Sequence, residues 1–497
     1  MTKTSGSGDP SLQAYIAKRS ALIAQDRARR VDYGKEYSSI EEDADLIVRK
    51  IRAEEDVSVW GQGEESTSIY RPNGDAPRLF PGMEFLTAKL APSNWESVPP
   101  EFKPFPKAYS TTATSLTDDD YTPGDFVPIL KARETFSSCI GVGGPQGFDQ
   151  WVVDSLMIRP SEAYDQFDTS TKIWRKFRAI FEVSASLVYY RPIWLEYIRQ
   201  FFTTSIEDGI SYIEARINFR QQLMWDADGE LNVPHRQWLV DFNTVMNEVR
   251  SSHPDDFVGA RVIYTTIRFV SAEELEWYLE DCMQLKQEFP DLIAGFDLVG
   301  HEDSLKPLVD YIQPLTRFVE RQKELGLDIP FIFHAGETCG DGSKADMNLY
   351  DAILLGTKRI GHGFSLVKHP KLMEICRTEG IAVEVCPISN EILRLTSSMP
   401  MHPLPVLLNQ GVPVVLSSDD PAIFGNMGLT YDFFQVLVAS EVNGLVTLGE
   451  IAQDSIKYST LSEADKNTAL ALWKRKWRKF LSTIVEEHRS ILGTDSN

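Results

Sequence analysis

From about residue 171 the sequence alternates seven times between a short, near-continuously apolar run and an amphipathic stretch of ten to twenty residues, and this alternation limits the fold more than any other feature. The runs are ISYIEARI from 210, GARVIYTTIRF from 259, LIAGFDLVG from 292, IPFIFHAGE from 329, RIGHGF from 359, IAVEVCPIS from 381 and VPVVLSSDD from 412. Strands covered on both faces are apolar throughout, so the runs predict a parallel sheet. The stretches between them predict helices, most clearly where Ser271 and Glu274 form a capping box ahead of a Leu275, Tyr278, Leu279, Cys282 and Leu285 stripe. The class is therefore α/β.

A doubly wound sheet usually carries a glycine-rich phosphate loop between an early strand and its helix. The run GVGGPQG at 141–147 follows no strand and opens no clear helix, and is read as loop. A (β/α)8 TIM barrel fits better, because ionisable and polar residues gather at the C-terminal ends of several strands: His334, Glu337, His362, Ser389, Asn390, Asp419 and Asp420. Seven strands are visible. The eighth is expected before residue 171, so the first strand and its helix are read as missing or altered.

The rest of the chain divides around that barrel. Residues 1–105 read as an N-terminal helical and loop extension, helical to about 60 and then rich in Gly, Pro and Ser. Residues 106–170 form the altered region where the first strand is expected, 171–440 the barrel, and 441–497 terminal helices packing on it. In the last of these, Trp473, Trp477 and Phe480 fall at helical spacing and predict a buried stripe, with Lys474, Arg475, Lys476, Arg478 and Lys479 facing water.

A formal charge of −22 repels phosphate backbones, so nucleic acid is not an expected partner. No stretch reaches 18 consecutive apolar residues, and MTKTSGSGDPSLQAYIAKRS has no apolar core after its lysine. The expectation is a cytoplasmic chain with no membrane partner. Cys139, Cys282, Cys339, Cys376 and Cys386 are odd in number and never spaced as CxxC, which argues against a disulfide framework or a zinc ribbon.

Three motifs carry chemistry: His334-Ala335-Gly336-Glu337, Arg359-Ile360-Gly361-His362-Gly363 and Ser417-Ser418-Asp419-Asp420-Pro421. Each directly follows an apolar run, so each sets an imidazole or carboxylate at a strand end. Such groups supply metal ligands, acid and base groups and substrate contacts. Cys339 reads as a pocket-lining thiol, His301 as a loop histidine, and Arg394 as the one obvious cation for a substrate phosphate.

With GFDQWVVDSLMI, DGISYIEARINF, GFDLVGHE, EVCPISNEILR and SSDDPAIFG, these motifs resemble the adenosine deaminase superfamily, most closely the fungal members of the adenosine deaminase-related growth factor branch. The resemblance implies a zinc-assisted hydrolase that converts adenosine or deoxyadenosine to inosine or deoxyinosine and ammonia. It implies His334 and Asp419 as Zn2+ ligands, Glu337 as the acid that protonates purine N1, and His362 as the group that orients or deprotonates the attacking water. It further implies Asp420 at purine N7, the Gly300 backbone at N3, and a homodimer built through residues 1 to 60. One element of the family's pattern is absent. All eight histidines lie beyond residue 234, so no His-x-His follows Pro106-Lys107, and two expected zinc ligands are missing. A non-catalytic protein that binds purine nucleosides therefore stands as the alternative.

Overall fold

The computed structural model describes residues 10–55, 105–106, 126–127, 129–136, 138, 142–159, 162–166, 169–425 and 428–493. All seven expected strands form: β1 (Tyr212–Asn218), β2 (Gly259–Ile267), β3 (Ile293–Val299), β4 (Ile332–Ala335), β5 (Arg359–His362), β6 (Ala382–Val385) and β7 (Val414–Leu416). Every neighbouring pair is parallel, in chain order. A single bridge between Phe296 and Phe331 joins the first three strands to the last four.

Helices separate the strands as expected. Ser271 and Glu274 do close a capping box on helix Ala272–Glu288, which buries Leu275, Tyr278, Leu279, Cys282 and Leu285 against the sheet. Each such side chain contributes about 1.5–3 kcal/mol of burial. The result is a barrel wall of seven strands whose free edges are β1 and β7. Among the described residues no strand joins those edges.

Of the region expected to hold the missing strand, 106–170, only part is described. Phe105–Pro106 pairs antiparallel with Phe126–Val127, while Lys107 and the segment through 125 lie outside the described residues, as does Cys139. The glycine run corrects one expectation: helix Gly144–Ser155 opens within it, capped by Gly143 with a proline in the first turn. No parallel strand of the barrel precedes that helix, so it still lacks the form of a phosphate loop.

Helix Ser170–Val188 crosses the mouth formed by the strand ends. Trp174 stacks on His301 beyond β3 at 4.4 Å, and Phe177 stacks on Phe424 beyond β7 at 5.8 Å. Ile173 and Ile180 join Ile388, Ile392 and Ile423 in the same apolar layer.

Helix Ser39–Glu55 packs its Ala44 and Ile47 on Leu445, Leu481 and Val485 of the two C-terminal helices, Leu445–Lys457 and Glu463–Leu492. The terminal aromatic stripe is only partly as expected. Trp473 and Trp477 stack at 5.2 Å and are half-buried, whereas Phe480 is 49% exposed, because the packed face of this helix passes through Leu481 and Val485 instead. Two of the adjoining cations are paired: Arg475 faces Asp255 and Lys476 faces Asp256. Among the described residues no helix is long and apolar enough to cross a membrane.

Candidate active site

His334, His362 and Asp419 come from the ends of β4, β5 and β7, and one ligand atom of each lies within 4.8 Å of the others. Nothing local holds them together, since they are up to 85 residues apart in the chain; the barrel does it, by ending adjacent strands at one level. His334 and His362 are buried, while Asp419 opens to solvent. His362 and Asp419 both adopt left-handed backbone, at φ 59° and 56°. Non-glycine residues there are costly and persist where the surroundings over-determine them, which is common at functional sites.

A single orientation is imposed on His334. Asp297 of β3 accepts from its backbone N–H at 2.9 Å and meets its Nδ1 at 2.6 Å. That pairing puts a proton on Nδ1 and turns the Nε2 lone pair away, the usual outer-sphere arrangement behind a metal-binding imidazole. Gly361 makes room for the ring, because a Cβ there would sit 3.0 Å from Nδ1.

Behind Asp297 runs an ion network through the barrel interior. Arg216 of β1 bridges Asp297 and Glu384 at 2.8 and 2.7 Å, and Arg359 bridges Glu384 and Glu214, both at 2.6 Å. Burial works against the charge on Asp297, Glu214 and Glu384, yet His334 and the two guanidiniums hold all three carboxyls below the usual range.

The carboxyl of Glu337 behaves in the opposite way. Burial and the nearby Asp419 and Glu302 carboxylates push it well above the ordinary glutamate value, which favours its protonated form. Its place is set by Glu302, whose Oε2 and Oε1 accept from the backbone N–H groups of Gly336 and Glu337 at 3.2 and 3.1 Å. Arg268 pairs with Glu302 at 3.2 Å and donates to the His334 carbonyl. Burial lowers the His362 pKa to about 4, so this ring is neutral, and its Nδ1 lies 3.6 Å from the Glu337 carboxyl. Burial and the Asp419 charge raise Asp420 well above the usual value.

Of the other residues named from sequence, Gly300 directly follows β3 at φ 112°, where a Cβ would lie 2.7 Å from Leu305. His301 stands beside it, stacked on Trp174, and is not one of the clustered ligands. Arg394 is no free phosphate contact: its guanidinium donates to the Ala163 carbonyl and lies over the Tyr164 ring. Cys339 donates to the Leu395 carbonyl at 3.1 Å, and burial raises its pKa, so it lacks the character of a nucleophile. Cys376 and Cys386 are buried.

Sequence reasoning missed Asp297, Glu302 and the Glu214–Arg216–Arg359–Glu384 network. A signal existed, namely a charge set inside an otherwise apolar strand in YIEARIN, GFDLV and AVEV.

A family model described as adenosine deaminase matches residues 158–473, more than half of the chain. Adenosine deaminase 2-A of Danio rerio is 40% identical over 325 residues, covering 65% of this chain and 62% of that protein. Adenosine deaminase 2 of Homo sapiens is 39% identical over 316 residues, covering 63% and 60%. This chain thus spans about three fifths of the length of these curated relatives. Among solved structures, Arabidopsis ADAL complexed with GMP aligns at a TM-score of 0.50 and 16% identity over 66% of this chain and 87% of that one. An amidohydrolase from Burkholderia ambifaria with bound zinc aligns at a TM-score of 0.50 and 17% identity, over 63% and 80%. Likeness at this level shows a shared fold.

Proposed function

This chain belongs to the adenosine deaminase family, and from that membership we propose that it hydrolyses the 6-amino group of adenosine or deoxyadenosine, giving inosine or deoxyinosine and ammonia. The observation that carries the reading is the convergence of His334, His362 and Asp419 within 4.8 Å beside a buried Glu337 whose pKa is raised.

The donor set suits a zinc ion in its chemistry. The His334 imidazole and the Asp419 carboxylate are ligands of the kinds zinc takes. The crowded Asp419, Asp420 and Glu337 carboxyls repel one another, which a divalent cation would offset. His334 and Asp419 would hold the ion. When bound, zinc supplies the Lewis acidity that lowers the pKa of water towards neutrality.

This chain's own residues do the remaining work. Glu337, whose pKa burial raises, would carry a proton and deliver it to purine N1, making C6 electrophilic. Neutral His362 would direct the attacking water. Asp420, whose pKa burial and the Asp419 charge raise, would in its protonated form donate a hydrogen bond to N7, and the Gly300 backbone would meet N3. Helix Ser170–Val188, spanning the mouth from His301 to Phe424, would limit water entry over the bound base.

The absence of a His-x-His favours a second reading, purine binding without turnover. Incubating the zinc-supplemented full chain with adenosine while following ammonia separates the two. Release that is lost in Glu337→Gln supports deamination. Adenosine binding by calorimetry with no ammonia moves the chain to the second reading, and neither binding nor release removes both.

A further inference from the structure

The resemblance leaves two roles open for His362, orienting the water or taking its proton, and a chain of hydrogen bonds behind the ring decides between them. It begins at helix Leu404–Gln410, whose first N–H has no partner within its own helix. That N–H can only donate, and it meets His402 Nδ1 at 3.0 Å. Nδ1 of His402 therefore bears a lone pair, and the proton of the neutral ring is on Nε2. His402 Nε2 lies 2.9 Å from Asn390 Oδ1, so Nε2–H donates there and fixes which way the amide faces. Asn390, fully buried in the turn of helix after β6, then presents Nδ2 to His362 Nδ1 at 3.2 Å. Amide nitrogen only donates. His362 Nδ1 must accept, and its proton belongs on Nε2.

Resting on the deaminase reading, we propose that His402 and Asn390 are positioning residues that lock His362 as the Nε2–H tautomer, so that the ring serves this site as a hydrogen-bond donor to the attacking water and not as a ligand or resting base. Nε2 has no protein partner among the described residues and is the nitrogen left for that task. A nitrogen that carries a proton cannot ligate a cation. Of the three clustered residues, His334 and Asp419 remain the ligand pair and His362 stands beside them. Glu337 does not disturb the assignment: at 3.6 Å its carboxyl is beyond hydrogen-bond reach of Nδ1, and in its protonated form it too would offer a donor. The left-handed backbone of His362 fits a ring whose direction is dictated from behind.

The direct test is long-range 1H–15N correlation on the full chain labelled with 15N-histidine, with peaks assigned by His362→Gln and His402→Gln. The wild type is expected to show both rings as Nε2–H tautomers; a proton on Nδ1 of His362 overturns the proposal. Asn390→Asp reverses the logic, because a carboxylate accepts from both rings and draws the His362 proton to Nδ1. The freed Nε2 then becomes a third ligand, so affinity for Zn2+ alone rises about tenfold or more while kcat falls about 10–100-fold with KM little changed. An unchanged tautomer with unchanged zinc affinity in this variant also overturns it. His402→Gln can still accept from Leu404 and donate to Asn390, and is expected to keep kcat within about threefold, whereas His402→Ala loses about tenfold or more. Equal loss in both assigns His402 a packing role only. Tautomer and zinc affinity are read without turnover, so a chain that fails to deaminate still decides the relay.

Discussion

At the scale of single residues the proposed site shifts two ionisable groups towards their uncharged forms. Burial and neighbouring carboxylates raise the Glu337 pKa well above the ordinary value, and burial lowers that of His362 to about 4. Glu337→Gln preserves shape and removes the transferable proton, so kcat is expected to fall about 10²–10⁴-fold while the fold is kept; a fall of less than about threefold excludes Glu337 as the acid. His402 makes a separate prediction. Burial and nearby His362 lower its pKa to about 3, below the ordinary histidine value, so the unfolded chain takes up this proton first. Its contribution to stability is complete above about pH 6.5 and is lost as pH falls towards 3, at about 1.4 kcal/mol per pH unit for one proton. Urea titrations at successive pH values should show that slope shrink in His402→Gln, and an identical slope would contradict it. The motif residues were legible because each closes an apolar run. Asp297 and His402 were not, and Asn390 reads only as a polar strand end, because their meaning lies in partners on other strands and loops: Asp297 meets His334 37 residues away.

Among the elements, the seven strands were readable since burial on both faces leaves little but apolar residues in them. The ions inside the barrel were not, because pairing across strands depends on register. Arg359 is 6% exposed and bridges Glu214 and Glu384. Arg359→Met strands two buried carboxylates and is expected to cost about 3–5 kcal/mol in chemical denaturation; a cost below about 1 kcal/mol would mean the network is well solvated. The barrel wall also makes a prediction at its edge. All but one residue of β1 is partly exposed, whereas β2 is buried almost throughout. Amide exchange should therefore reach β1 well before β2 and β3, and equal protection would show the edge to be covered. Helix Gly144–Ser155 escaped sequence reading because its glycine-rich start imitates a loop, and Phe480 misled because the helix buries the adjacent Leu481 and Val485 instead.

For the molecule as a whole, the N-terminal helices are part of the packed body. Arg30, 7% exposed, donates to Asn409 and Asn443, and Arg52 donates to the carbonyls of Leu437, Ser440 and Asn443. Metal bound at the mouth should stabilise this body by mass action, about 2.7 kcal/mol at a hundredfold excess over Kd. Thermal unfolding with and without zinc should show that shift in the wild type and lose it in His334→Ala, and an equal shift in both would locate the ion elsewhere. This barrel, with no His-x-His, is proposed to hold one divalent ion at its strand ends. Anomalous scattering at the zinc edge from crystals of the zinc-loaded full chain decides it. One strong peak is expected between the His334 imidazole and the Asp419 carboxylate; no peak there, with those side chains turned apart, would refute the site.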